Sequence, residues 1–240
     1  MSPTNFSTEA TVLPIRIDGD KLGYALDGNR SELYFVGDGN TPEKPDTQYR
    51  IEIQDLTDDE GFLGTQKNTL LWDAANNPNW EKEEFVDVKN WTNIVIVSAN
   101  AFEGCSNLIG FSAANSPVLS APDSAVNMFK DASVFNGTLK DWDFSNVLEA
   151  DGMFSNCDSL TDENLEKNLY QMYITKSDKI TPSNPMYIDV DITTGERKTT
   201  YYPLVALVNA MKNGGQIVRG LTNSLFVLNT SVLAGENVLG

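Results

Sequence analysis

Histidine is absent from all 240 residues, and cysteine occurs only twice. The first absence removes Ser-His-Asp and Cys-His nucleophile arrangements and every zinc site built on histidine. Two thiols are too few for the disulfide framework of a small secreted scaffold. Basic residues are also scarce: 17 Lys and Arg face 34 Asp and Glu, a net charge of −17. A surface of that sign repels phosphate backbones and anionic headgroups, so neither nucleic acid nor a membrane surface is an expected partner. No apolar run approaches the roughly 20 residues that span a bilayer, so no membrane insertion is expected.

The first ten residues carry no base and no apolar core, and Arg16 is the first basic residue. They do not read as a Sec signal. A chain that acts outside the cell would then travel another way, for example within a particle released by lysis. Nucleotide-binding glycine fingerprints are missing. Asp18-Gly19-Asp20-Lys21-Leu22 begins like a calcium loop, but Leu22 holds the fifth position and Asn29 the twelfth, where a bidentate Glu is needed. No cofactor or metal is expected.

What the chain does contain is a repeat. Ala101-Phe102-Glu103-Gly104-Cys105-Ser106-Asn107-Leu108 is followed by Met128-Phe129-Lys130-Asp131-Ala132-Ser133-Val134-Phe135 and by Met153-Phe154-Ser155-Asn156-Cys157-Asp158-Ser159-Leu160. Each phenylalanine has a small residue three places on (Cys105, Ala132, Cys157) and a large apolar one six places on (Leu108, Phe135, Leu160). The phenylalanines are 27 and 25 residues apart, a period suited to stacked coils. Stacking would set Phe102, Phe129 and Phe154 in one buried column and the small residues in the next. Two coils of strand spacing would hold the Cys105 and Cys157 Cα atoms on the order of 10 Å apart, too far for a disulfide. Both thiols are therefore expected to be enclosed and free.

A second element precedes the third copy: Trp142-Asp143-Phe144-Ser145-Asn146-Val147, with a shorter Trp91-Thr92-Asn93-Ile94 before the first. Over residues 135–154 the order Phe-Asn, Leu, Trp-Asp, Ser-Asn-Val, Met-Phe resembles the BspA-type leucine-rich repeat, with Ala150 in place of the first Met of that pattern. The resemblance covers roughly residues 91–160. It implies surface display and adhesion to proteins or host surfaces through the exposed face of the coils, for which Trp91, Asn93, Trp142, Asp143 and Asn146 are the candidates. Tryptophan filling a bend and asparagine bonding a turn is the competing structural role for the same residues.

The flanks differ in character. Short strands cut by Asp-Gly and Gly-Asp-Gly turns fill residues 11–55, as in a small antiparallel unit. Within them Leu33-Tyr34-Phe35-Val36-Gly37-Asp38-Gly39-Asn40-Thr41-Pro42 resembles hairpins near the N-termini of phage tail- and head-fibre proteins. After the repeats, Thr161 as N-cap and Leu165, Leu169 and Met172 at helical spacing predict a helix from about Asp162 to Tyr173. Residues 186–192 and 197–202 around Thr193-Thr194-Gly195-Glu196 predict a hairpin. Pro203 opens a second helix that Asn213-Gly214-Gly215 closes.

The fold expected from these signals is α+β and mostly β. A short leucine-rich-repeat solenoid (85–160) lies between an N-terminal antiparallel β domain for attachment (1–60), with a connector (61–84), and an α/β cap (161–240). The expected function is a non-enzymatic virion structural and recognition protein, present in several copies. Its N-terminal region would join other virion proteins, and the repeats would face a host-surface protein or glycan. A bacterial cell-surface adhesin is the first alternative. A carboxylate-dependent glycan-active enzyme using pairs such as Asp141 and Asp143, or Asp189 and Asp191, is the second.

Overall fold

In the computed structural model, the described residues are 10–17, 31–36, 70–76, 80, 82–91 and 94–224. Five strands form one sheet in the order β2-β1-β3-β4-β5: β1 (Ala10–Ile17), β2 (Ser31–Val36), β3 (Leu70–Trp72), β4 (Ile94–Ile96) and β5 (Val118–Leu119). The neighbours β3, β4 and β5 run parallel, in the registers Leu71↔Val95 and Val95↔Val118, while β1 pairs antiparallel with both β2 and β3. Further along come α1 (Asp162–Ile174), β6 (Met186–Asp189), β7 (Arg197–Thr199), α2 (Tyr202–Asn213), β8 (Gln216–Arg219) and β9 (Leu221–Asn223).

This architecture corrects the expected one. The regular structure among the described residues is two helices and short, mainly parallel strands, in place of a mostly-β leucine-rich-repeat solenoid closed by separate end domains. The physical reason lies in the repeats themselves. Asn100, Asn127, Asp131 and Asn156 have φ between 50° and 63°, and Gly104 and Gly152 have φ of 76° and 71°. Left-handed residues at this density break the extended conformation a strand requires, and Asn, Asp and Gly are the types that tolerate it. The phenylalanine segments are consequently successive turns.

Those turns nevertheless bond to one another. Phe102 N–H donates to the Met128 carbonyl (2.8 Å), Phe129 N–H to that of Met153 (2.9 Å), and Phe154 N–H to that of Asp189 (3.0 Å). Gly104, Asp131 and Asn156 donate in the same direction to Lys130, Ser155 and Asp191. The donors of the first two repeats thus find their acceptors one repeat later, and those of the third find theirs at the end of β6 and just beyond it.

The flanks depart from expectation too. The N-terminal strands continue the sheet of β3–β5 and are not a sheet of their own. Of residues 11–55, read as short strands in sequence, 18–30 and 37–55 lie outside the described residues, and 85–88, the expected start of the solenoid, are not a strand. No hairpin joins β6 to β7: β6 pairs parallel with β8 and β7 parallel with β9, because the chain between them passes through α2 and returns. Helix α1 begins where the sequence places it, with Thr161 Oγ1 accepting from Asn164 N–H at 3.3 Å. One continuous core runs from Trp72 through the repeats to Leu204 and Met211.

Candidate functional site

The repeat residues form the inside of this core. Phe102 and Phe129 stack with centroids 5.5 Å apart and planes 13° from parallel, and Phe129 and Phe154 at 5.7 Å and 8°. Phe135 lies against Phe129 at 4.3 Å. Leu108 and Leu160 are buried, as are Cys105, Ala132 and Cys157. Both cysteines are free, and Cys157 Sγ–H donates to the Phe129 carbonyl at 3.0 Å. Desolvation pushes both thiols well above the ordinary range, so they are protonated and unreactive in the folded chain.

Beside the phenylalanine column stands a second aromatic group. Trp91 meets Trp142 edge to face at 5.6 Å and Phe111 at 5.1 Å, while Phe111 and Trp142 are nearly parallel at 5.6 Å. These three rings floor a cleft of about 280 Å³. Its rim is polar, with Asn115 and Thr138 beside Lys140 and Asp141, and the Lys140 ammonium lies 3.8 Å from the Asp141 carboxylate.

Local bonding explains how the cleft is held. The Asn115 carboxamide accepts from Trp91 N–H at 2.9 Å and donates to Asn90 Oδ1 at 2.9 Å, an Asn pair one repeat apart. Asp141 sits at φ 66°, and its carbonyl accepts from Ser116 Oγ. From the other side α1 braces the floor: Gln171 Nε2 donates to the Trp142 carbonyl (2.8 Å), and Asn168 bonds both Leu139 N–H and the Gly137 carbonyl. Trp91 Nε1–H is buried and has no hydrogen-bond acceptor among the described residues.

The five residues proposed for recognition separate in the structure. Trp91 and Trp142 are buried, 1% and 2% exposed, so they offer no open ring to a partner and act as the cleft floor. Asn93 lies outside the described residues. Asp143 and Asn146 are exposed, but Asp143 accepts from Ser145 N–H (2.9 Å) and Asn146 donates toward the Leu119 carbonyl, so both brace turns. Phe111, Asn115, Thr138 and Lys140 were not foreseen. Their signal in sequence is only the spacing of about one repeat between Asn90 and Asn115, and between Ser116 and Asp141.

Residues 79–180 match the model of a family described as Mycoplasma protein of unknown function, DUF285. The matched span holds all three repeats, the cleft and α1, and covers less than half of the chain. The resemblance to BspA-type repeats is compatible with this match at the level of the repeat, and the match says nothing of a particle or a receptor. No curated protein and no solved structure matches the chain.

The carboxylate pairs considered for catalysis are in structural use. Partial burial alone would raise the Asp189 carboxyl, but hydrogen bonds from Arg219 (2.6 Å) and from Gly152 N–H (2.7 Å) hold it below the ordinary range. Asp191 accepts from Ser155 Oγ at 2.8 Å. A general acid needs a raised value, the opposite of what Asp189 has.

Proposed function

We propose that this chain is a non-enzymatic recognition and structural protein whose stacked repeats carry a binding face for a surface protein or glycan. The single observation that supports this reading is the cleft at the edge of the aromatic core, on whose rim Thr138, Lys140 and Asp141 are exposed. The assembly part of the reading comes from the sequence: the fibre-like hairpin at residues 33–42 favours a virion surface, with several copies attached to other virion proteins through residues 1–60. A second reading, a bacterial cell-surface adhesin, draws on the match to a family described from Mycoplasma.

Mass spectrometry separates the two locations. The chain should be found in purified particles, and its presence in cell envelopes with absence from particles would favour the adhesin. Incubation with a polysaccharide panel tests the non-enzymatic part. Turnover abolished by Asp143→Asn would replace recognition with catalysis.

A further inference from the structure

Helix α1 turns a polar stripe toward the last repeat. Asn164, Asn168, Gln171 and the C-cap Thr175 recur at intervals of four, three and four residues, which puts them on one face of the helix. All four bond the main chain of residues 136–144. Asn164 Nδ2 donates to the Asn136 carbonyl (2.8 Å), and Asn168 donates to the Gly137 carbonyl (3.1 Å) while its Oδ1 accepts from Leu139 N–H (2.8 Å). Gln171 Nε2 donates to the Trp142 carbonyl (2.8 Å), and Thr175 Oγ1 accepts from Phe144 N–H (3.2 Å). On its other side the same segment meets the preceding repeat, with Asn136 N–H donating to the Ile109 carbonyl and Ser116 Oγ to the Asp141 carbonyl. Side chains of α1 therefore stand where a further length of backbone would pair.

Burial shows what these amides are for. Asn168 is fully buried, a costly place for an amide unless its bonds are made. Leu165, Leu169 and Met172 already supply the helix with an apolar stripe, so packing alone does not require Asn168. What requires it is a row of backbone donors and acceptors that, left open, would pair with another chain.

We propose that α1 is an intramolecular guard over an association edge, and that residues 136–144, freed of it, pair with the same edge of a second copy of this chain. The edge can meet itself: it offers donors at Leu139 and Phe144 and acceptors at Asn136, Gly137 and Trp142, so a twofold arrangement sets donors opposite acceptors. Lys140 stands beside Asp141 and Asp143, so this segment carries both signs and is repelled by its copy far less than the strongly acidic chain as a whole. The proposal does not rest on the recognition reading above.

Asn168→Leu combined with Gln171→Met keeps side-chain size and removes both amides. The full chain is followed by light scattering over a concentration series, with far-UV circular dichroism reporting the helices. The double variant should keep its helical signal and rise with concentration toward twice the parent mass, and in dilute solution its Leu139 amide should exchange faster while those of Phe102 and Phe129 are unchanged. Glu163→Gln and Lys167→Ala, on the exposed side of α1, should leave the mass unchanged. A folded double variant that stays at the parent mass at every concentration overturns the proposal, as does equal association of the exposed-side variants. Should the double variant lose its helical signal, Thr175→Val, which frees Phe144 N–H at the end of the helix, is measured in the same way, and parent mass there is equally fatal. In the parent chain the Leu139 and Phe144 amides should exchange no more slowly than those of α1, since the helix is their cover; protection that outlasts the helix overturns the proposal whatever the variants do.

Discussion

Gly110 and Gly137 face each other across adjacent repeats so closely that a Cβ on Gly110 would lie 2.9 Å from the Gly137 Cα, and one on Gly137 would lie 2.8 Å from the Gly110 Cα. Backbone meets backbone there, and neither side has a flexible side chain to yield. Just beyond, Asn136 N–H donates to the Ile109 carbonyl at 2.8 Å, tying the two turns at that separation.

Alanine at either glycine should therefore destabilise the chain by about 1–3 kcal/mol, the usual cost of overpacking a closed contact. Urea unfolding of Gly110→Ala and Gly137→Ala would measure it. A double variant should lose less than the sum of the two singles, because the first substitution already forces the turns apart.

Phe129 is the middle ring of the column, stacked on Phe102 and Phe154 and touching Phe135. Its replacement by Ala leaves a cavity in a turn that is hydrogen-bonded to the turns on both sides, which hold their spacing and do not close on it. The expected loss is about 3–5 kcal/mol. A loss under about 1 kcal/mol in denaturant melts would show that the column bears little of the stability.

Arg197 is buried, and its guanidinium donates to the carbonyls of Val190, Leu160 and Cys157. Desolvation pulls its pKa below the ordinary range, with the nearby Asp162 carboxylate opposing that shift. Arg197→Met keeps the stem and strips the donors from three carbonyls, so a loss of about 1–3 kcal/mol is expected. Arg197→Lys should recover only part of it, since one ammonium cannot reproduce the planar fork.

Asp189 gives the chain an acid-sensitive contact. Its folded pKa lies below the unfolded value, so the unfolded state takes up the proton first as pH falls. The stability from this group is thus fully present above the unfolded value, about 3.9, and is lost as pH falls through the lower folded value. Urea midpoints of the parent chain and Asp189→Asn should differ at pH 6 and draw together as pH falls below the unfolded value of about 3.9 and through the lower folded one. A difference that stays constant over that range would remove Asp189 as the source.

The enclosed thiols give a simple check on the core. A thiol reagent should modify neither Cys105 nor Cys157 in the folded chain, and both after unfolding without reductant. Rapid labelling under native conditions would mean that the turns around them open.

Much of the core was legible in the sequence because the repeat writes it three times. Phenylalanine, a small residue and a large apolar residue at constant offsets must share an environment, and Phe102, Phe129, Phe154 and their partners are all buried. Helix α1 was equally legible, since its cap and its apolar spacing are local. The backbone form was not: one period suits strands and turns alike, and the left-handed Asn and Asp residues that decide for turns are ordinary polar residues in sequence. Strand partners were hidden for a similar reason. The run 186–199 looks like a hairpin when only neighbours are considered, and the parallel pairing to β8 and β9 depends on α2 bringing the chain back. The cleft belongs wholly to the tertiary structure. Trp91, Phe111, Asn115 and Lys140 are spread over about two repeats, and only the stacking of those repeats, held by hydrogen bonds between side chains and backbone about 25 residues apart, brings an aromatic floor and a charged rim to one place.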